Sequence, residues 1–172
     1  MESKPSKQQV RKWLKKWKFP RRHIEKLEFM HGPSLEMAEK HVARVLSGDL
    51  LCILCGHRGP GKTQMAAFWG QSVATDMKRA RYYKCHDLLC KIREQFDKDR
   101  HRSDSAREEL EMAKKCHFLV LDEWSELAGT EWEKRTLTNL IDHRYDEKLS
   151  TVIITNHSPS EAIVAVGESI WN

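Results

Sequence analysis

A short segment of this 172-residue chain carries residues whose types and spacing suit the binding of phosphate groups. The segment is GHRGPGKT, from Gly56 to Thr63, which follows an apolar run and precedes a helical pattern. Glycines at 56, 59 and 61 allow the backbone to curl so that several N–H groups point at one spot. A helix that begins there adds the positive end of its dipole. The segment therefore predicts an anion-binding loop.

The last two residues of the segment add a cation and a hydroxyl group. In the pattern G-x-x-x-x-G-K-[ST], the lysine reaches the β and γ phosphates of a nucleotide and the hydroxyl binds Mg²⁺. These roles fall on Lys62 and Thr63. The predicted nucleotide-binding residues are the whole loop: Gly56, His57, Arg58, Gly59, Pro60, Gly61, Lys62 and Thr63.

Two further apolar segments end in polar side chains. HFLVLDEW supplies Asp122, expected to hold the Mg²⁺ through water, and Glu123, expected to polarise the attacking water. TVIITN supplies Asn156, whose amide would orient that water or sense the γ phosphate if this strand lies between the other two. An asparagine that only caps a turn is the alternative. No guanine-reading N-K-x-D segment occurs, so ATP is expected in preference to GTP.

Short apolar segments alternate with amphipathic ones, which is typical of an α/β protein whose parallel sheet is covered by helices on both faces. We expect strands at 50–55, 81–84, 117–121 and 151–155. Helices are predicted at 34–47, 61–79, 86–98, 105–115 and 132–145. Ser34 is expected to cap the first of these helices and Gly48 to end it. The charged segment DKDRHRSDS, residues 97–105, is expected to be a loop.

The N-terminal part of the chain is strongly basic. Residues 1–26 carry a net charge of +8, whereas the other 146 residues carry −3, so a polyanionic partner is expected. A helix is predicted between Ser6, its cap, and Pro20. Its expected contacts with DNA or a protein partner are Arg11, Lys12, Trp13, Lys15, Lys16 and Trp17. Packing of the aromatic stripe on the protein's own body, or contact with a membrane surface, are the alternatives.

Composition excludes several classes of protein. Hydrophobic residues make up 40% and charged residues 32% of the chain, as in globular proteins. There is no run of about eighteen apolar residues to span a membrane. The basic N-terminus is not followed by the apolar stretch of a secretory signal, so we expect the protein in the cytoplasm.

The segments GHRGPGKT, LVLDEW and VIITN, in this order and spacing, resemble the AAA+ superfamily of P-loop ATPases over residues 50–157. In that superfamily the first two are called Walker A and Walker B, and the strand-end asparagine is called sensor 1. The stretch NLIDHRYDEKLSTVIITNHSPSE and the helix YKCHDLLCKIREQFD are similar to the DnaC and IstB branch of helicase loaders and transposition helper ATPases. This resemblance implies Mg²⁺-dependent ATP hydrolysis and homo-oligomers on single-stranded DNA. It also implies a replicative helicase or a transposase as partner.

The resemblance also assigns Arg144, which matches an arginine that the family commonly has before the sensor strand. It is expected to contact a neighbouring subunit or to brace the core, with a surface ion pair as the alternative. The family's fifth strand, arginine finger and lid would follow, yet no arginine occurs after Arg144. We therefore divide the chain into a basic helical extension, 1–33, and an ATPase core, 34–172, expected to lack the last strand and the lid. With strand order 5-1-4-3-2, residues 50–55 would form an exposed edge, and hydrolysis by this chain alone would be weak.

The function predicted from these observations is that of an ATPase of the helicase-loader type, acting in DNA replication. A transposition helper ATPase is the nearest alternative. A non-catalytic adaptor that uses ATP only as a structural ligand is another. A small nucleotide kinase is disfavoured because it needs lid arginines.

Overall fold

Two segments in which every residue is buried form the centre of a parallel sheet. They are β3, Phe118–Asp122, and β4, Ser150–Ile154. The computed structural model, which describes residues 4–59, 61–95 and 100–167, pairs these two strands directly. The sheet is completed by β1, Leu51–Leu54, and β2, Ala80–Lys84, in the order β1-β4-β3-β2. β4 thus lies between β1 and β3, the placement on which the expected role of Asn156 depends.

Helices cover both faces of this sheet. One face carries α1 (Lys7–Lys16), α2 (Arg21–Glu25), α3 (Pro33–Ser47) and α4 (Lys62–Thr75); the other carries α5 (Cys85–Glu94), α6 (Arg100–Lys115), α7 (Glu131–Asp146) and α8 (Pro159–Val166). Short 3-10 turns lie at Leu27–Phe29 and Trp124–Glu126. Side chains along a strand alternate between faces, so Val120 joins the first core and Leu121 the second. The predicted α/β architecture is confirmed. None of the helices described is long and apolar enough to cross a membrane.

The start of α3 differs from the sequence prediction. The N-cap is Gly32, with φ of 69°, and the helix begins at Pro33, so Ser34 lies within the first turn and is not the cap. Proline fits the first helical position because its missing N–H group would have no partner there. The end of α3 is as predicted: Gly48 adopts the left-handed conformation, with φ of 84°, and stops the helix.

The charged segment 97–105 was predicted to be a loop, and this prediction is wrong for its second half, because α6 begins at Arg100. Residues 97–99 lie outside the described part of the chain. Ser103 and Ala106 are buried on the inner side of α6, and the Ser103 hydroxyl donates a hydrogen bond to the carbonyl of Gln95 at 2.7 Å. Such tertiary packing outweighs the weak helical propensity of a polar sequence.

The N-terminal helix is packed into the first core. The Ser6 hydroxyl accepts the backbone N–H of Gln9 at 3.2 Å, as expected for the cap, and Leu14 is fully buried. Phe19 occupies the space left free by Gly70 of α4, where a Cβ atom would lie 2.6 Å from the tip of the ring. The backbone N–H of Tyr82 in β2 donates to the carbonyl of Trp17 at 3.0 Å. The aromatic stripe therefore packs on the protein's own body.

Arg144 of α7 braces the second core. Its side chain is fully buried and donates to the carbonyls of Ala113, Cys116 and Ser150 at 2.7, 2.9 and 2.8 Å, and to the Thr151 hydroxyl at 2.9 Å. Burial lowers the pKa of this guanidinium, and the oxygen atoms around it replace the lost hydration. The prediction that Arg144 contacts a neighbouring subunit is wrong, because no part of its side chain reaches the surface. A surface ion pair is excluded for the same reason.

We predict that Arg144→Met lowers the free energy of unfolding by about 3–5 kcal/mol, because several buried carbonyls lose their donor at once. Urea unfolding followed by circular dichroism measures this effect. The matched control is Arg135→Met, on an exposed position of the same helix, which should leave the unfolding midpoint unchanged. An unchanged midpoint for Arg144→Met would contradict the bracing role.

Candidate nucleotide-binding site

The loop between β1 and α4 has the curled backbone that its glycines predict. Gly56, Gly59 and Gly61 have φ angles of 112°, 111° and 83°, in a region that side-chain-bearing residues rarely adopt. The N–H of Gly56 donates to the carbonyl of His157 at 2.7 Å, which ties the start of the loop to the segment after β4. Helix α4 begins at Lys62, and no side chain among the described residues caps its N-terminus. Its first amide groups are therefore available to an anion.

Lys62 is folded back over this loop. Its Nζ atom donates to the carbonyls of Gly56 and His57 at 2.6 and 2.7 Å. Partial burial lowers the pKa of Lys62, and the negative charge of Asp122 opposes that change. The ammonium group is thus held where an oxyanion in the loop would meet it.

The other loop residues lie at the surface. His57, Arg58 and Gly59 are exposed, and the guanidinium of Arg58 lies 3.2 Å from the carboxylate of Glu126. Pro60 falls outside the described residues. The described residues of the predicted nucleotide-binding set therefore have a half-buried side, formed by Lys62 and Thr63, and an exposed outer side.

The Asp122 carboxylate at the end of β3 joins three elements. Its Oδ2 atom accepts the Thr63 hydroxyl at 3.0 Å and the Tyr82 hydroxyl at 2.5 Å, while Oδ1 accepts the backbone N–H of Glu123 at 2.7 Å. Only 7% of Asp122 is exposed, so these donors fix its orientation. A hydroxyl and a carboxylate in contact are the hard oxygen ligands that Mg²⁺ prefers. Thr63 and Asp122 thus fit a magnesium ion.

Tyr82 is a site residue that the sequence analysis missed. It lies in β2, whose register places Tyr82 opposite Val120 and Lys84 opposite Asp122. Burial, followed by the charge and hydrogen bond of Asp122, raises the pKa of Tyr82, so the phenol keeps its proton and remains a donor. The usable signal was its position in a short predicted strand with two adjacent tyrosines, but only the pairing of β2 with β3 selects Tyr82.

Glu123 follows Asp122 with a backbone turned away from the strand. Its φ is 60°, in the left-handed region, and its Oε1 atom lies 2.9 Å from the Nζ of Lys84. This ion pair raises the pKa of Lys84. The carboxylate lines the cleft beside Asp122, and one of its oxygen atoms is engaged by Lys84.

Asn156 lies two residues after β4, on the same edge of the sheet. Its backbone N–H donates to the Ser125 hydroxyl at 3.4 Å. Asn156 lines one cleft together with Lys62, Thr63, Asp122 and Glu123, so the fold brings the predicted catalytic and metal-binding residues together. The cleft has a volume of about 760 Å³.

One wall of this cleft comes from the N-terminal extension, which the sequence analysis did not assign to the nucleotide site. The lining residues from this extension are Pro20, Arg22, His23 and Lys26. His23 and Gln64 of α4 are joined by two hydrogen bonds, from ring to side chain at 2.9 Å and from side chain to backbone at 3.0 Å. The basic segment RRHIEK, which follows Pro20, was the available signal for this wall. By itself it indicates only a positively charged N-terminus.

The residues predicted to contact DNA or a partner divide into two groups. Trp17 is 7% exposed and Trp13 is half-buried, their rings stacked at 6.1 Å, so Trp17 is not available to stack on a base. This corrects the expectation for Trp17. Arg11 is exposed and lies 3.2 Å from Glu28. The exposed lysines of the set are Lys12, Lys15 and Lys16.

Relatives of this chain come from bacterial insertion sequences. The chain is 28% identical, over 151 residues, to a protein named as an ATP-binding protein of insertion sequence IS232 from Bacillus thuringiensis subsp. berliner. That match covers 86% of the chain and 58% of the relative. A protein of the same designation from insertion sequence IS1162 of Pseudomonas fluorescens is 28% identical, over 84% of the chain and 61% of the relative. The chain thus spans about three fifths of the length of these relatives.

Solved structures share the fold at lower identity. The DnaC helicase loader matches with a TM-score of 0.71 and 21% identity, over 88% of this chain and 92% of that one. The replication initiator DnaA, bound to AMPPCP and single-stranded DNA, matches with a TM-score of 0.67 and 19% identity, over 88% and 47% of the two chains. These matches agree with the parallel sheet and helical layers of an AAA+ P-loop protein.

Residues 3–167 match the family described as IstB-like ATP binding protein, which covers the loop, the three strand ends and the N-terminal wall of the cleft. The resemblance inferred from the sequence motifs is confirmed, and this chain belongs to the IstB-like ATP-binding family, with the P-loop AAA+ fold.

Proposed function

We propose that this chain binds Mg-ATP in the cleft at the carboxyl edge of its sheet and hydrolyses it. The observation that carries the proposal is the contact between Thr63 and Asp122, 3.0 Å apart, beneath a loop that holds Lys62. A phosphate-binding lysine, a hydroxyl and a buried carboxylate at one point serve the phosphates and their metal ion together.

The residues of the cleft divide the chemical work. Lys62 and the first amides of α4 bind the β and γ phosphates, and Thr63 and Asp122 hold Mg²⁺, which neutralises charge on those phosphates. Glu123, once free of Lys84, accepts a proton from water as the water oxygen attacks the γ phosphorus and the bond to the β-phosphate oxygen breaks. Asn156 orients that water.

We propose that ATP turnover controls the assembly of several copies of this chain on single-stranded DNA. A protein partner would bind to this assembly. A transposase is favoured as partner by the two relatives, both of which are encoded by insertion sequences. A replicative helicase, with a role in DNA replication, is the second candidate, supported by the fold shared with a helicase loader. Stimulation of the ATPase by one partner and not by the other would decide between them.

Hydrolysis should depend on Glu123 and nucleotide binding on Lys62. We predict that Glu123→Gln retains ATP binding and lowers the turnover rate by about 100-fold or more, since a positioned base contributes about 10²–10⁴-fold. Lys62→Ala should lose binding as well. Fluorescent-ATP titration and steady-state phosphate release, with and without single-stranded DNA, measure the two effects. Glu131→Gln, at a fully solvated position of α7, is the matched control. Turnover by Glu123→Gln equal to that of the unmodified chain would eliminate this base.

The Tyr82 hydroxyl should affect how tightly the site binds Mg²⁺. We predict that Tyr82→Phe raises the Mg²⁺ concentration for half-maximal ATPase by about fivefold, because Asp122 loses one of the donors that orient it. The control is Tyr83→Phe, whose hydroxyl donates to Glu109 at 2.6 Å on the other side of the sheet. Equal Mg²⁺ dependence in both variants would show that the Tyr82 hydroxyl does not support the metal site.

The exposed lysines of α1 should contribute to DNA binding. We predict that replacing Lys12, Lys15 and Lys16 together by alanine weakens binding of an oligothymidylate in the presence of ATP. The slope of log affinity against log salt should become shallower by about 2, since each lost phosphate contact on a single strand contributes about 0.7. Fluorescence anisotropy at several salt concentrations measures this slope. A triple alanine variant at Lys115, Lys134 and Arg135 removes the same charge elsewhere, and an equal effect there would contradict a specific DNA-binding face.

A further inference from the structure

Two neighbouring arginines of α2 have opposite surroundings. Arg21 faces outward, and its Nε atom lies 2.6 Å from the carboxylate of Glu25. Arg22 lines the cleft that contains Lys62 and Asp122. Among the described residues, Arg22 has no acidic partner within ion-pair distance, so its charge is directed at the cleft without being neutralised.

A hydrogen-bonded chain holds Arg22 in this place. Its Nε atom donates to Nε2 of His23 at 3.1 Å, so that ring nitrogen is an acceptor. The proton of the neutral ring must then be on Nδ1, which donates to Oε1 of Gln64 at 2.9 Å. Burial lowers the pKa of His23, and the charge of Arg22 adds to this effect, so the ring is kept in the neutral form that the chain of bonds requires.

Gln64 connects this chain to the phosphate loop. It is the residue after Thr63, in the first turn of α4, and its Nε2 atom also donates to the backbone carbonyl of His23 at 3.0 Å. The two bonds between His23 and Gln64 hold α2 against the start of α4. The N-terminal extension is therefore bonded directly to the residue that follows the phosphate loop.

Arg22 lines the same cleft as Lys62, Tyr82 and Asp122. The Tyr82 hydroxyl donates to the Asp122 carboxylate. A triphosphate bound in the loop would place its last phosphate between Lys62 and Asp122, in this cleft. Lys26, exposed and without an acidic partner among the described residues, lines the same wall.

We infer that Arg22, positioned by His23 and Gln64, contacts the terminal phosphate of a bound nucleoside triphosphate and so makes the docking of the N-terminal extension depend on that phosphate. The inference rests on the proposed function, since it requires ATP in this cleft. It assigns a cation within the same chain to the γ phosphate. It also links the basic helix α1, which precedes α2, to the state of the nucleotide.

The first experiment compares affinities for a triphosphate and a diphosphate. Mg-AMPPNP and Mg-ADP are titrated into the full chain, Arg22→Ala and the matched control Arg21→Ala. We expect Arg22→Ala to lower the affinity for AMPPNP by about 10- to 100-fold, which is the effect of losing one charge-assisted hydrogen bond. The affinity for ADP should change by less than about twofold. Arg21→Ala should change neither. Arg22→Lys should restore part of the preference, because the charge remains but the planar fork is lost.

The outcomes separate the two proposals. If the unmodified chain binds neither nucleotide, the proposed function fails, and this inference fails with it. If it binds both and Arg22→Ala leaves the AMPPNP to ADP preference unchanged, ATP binding stands and the γ-phosphate contact is overturned.

Hydrogen exchange provides the second readout, independent of affinity. At saturating nucleotide, amides of α2 and of the adjoining end of α1 should be better protected with AMPPNP than with ADP. This difference should disappear in Arg22→Ala and shrink in Gln64→Ala, which removes the link at α4 and the support of His23 but keeps the arginine side chain. Equal protection with both nucleotides in the unmodified chain would overturn the coupling, even if the affinity difference were found.

Discussion

The carboxylate of Asp122 is the point on which the site and much of the fold depend. It accepts hydrogen bonds from α4 through Thr63, from β2 through Tyr82 and from the turn after β3 through the N–H of Glu123. A nearly buried carboxylate is costly unless such donors replace its hydration, so these three elements are held in fixed relation. The phosphate loop is continuous with α4, and its position follows from the same contacts.

The N-terminal extension is a structural part of the nucleotide site. Its aromatic residues complete the first core, with Phe19 packed on Gly70 and Trp17 bonded to the β2 backbone. This docking carries α2 across the mouth of the cleft and brings Arg22 and His23 beside the loop. The extension, which appears in the sequence as a basic arm, therefore has two roles. Its segment around α2 forms a wall of the site, and Lys12, Lys15 and Lys16 of α1 are exposed to solvent.

The cations in the core and those at the carboxyl edge of the sheet have different partners. On the side of α7, the fully buried Arg144 is compensated by backbone carbonyls and serves stability. At the carboxyl edge, Lys84 pairs with Glu123, Lys62 rests on loop carbonyls and Arg22 has no acidic partner among the described residues. Cations held by weak or exchangeable contacts are suited to respond to a phosphate ligand, whereas the cation of the core is not.

The sequence by itself determined the phosphate loop, the carboxylates after β3, the asparagine after β4 and the alternation of strands and helices. These features follow from local patterns, namely glycines at fixed spacing and apolar runs that end in polar residues, and the parallel sheet then brings the strand ends to one edge. Only the tertiary structure decided which partners these residues have. The contact of Tyr82 with Asp122, the burial of Arg144 and the wall formed by Arg22 and His23 depend on strand register and on helix docking over long sequence separations. A local pattern contains neither the strand register nor the helix docking. Burial of the whole core decides that β2 pairs with β3 and that α1 packs on α4.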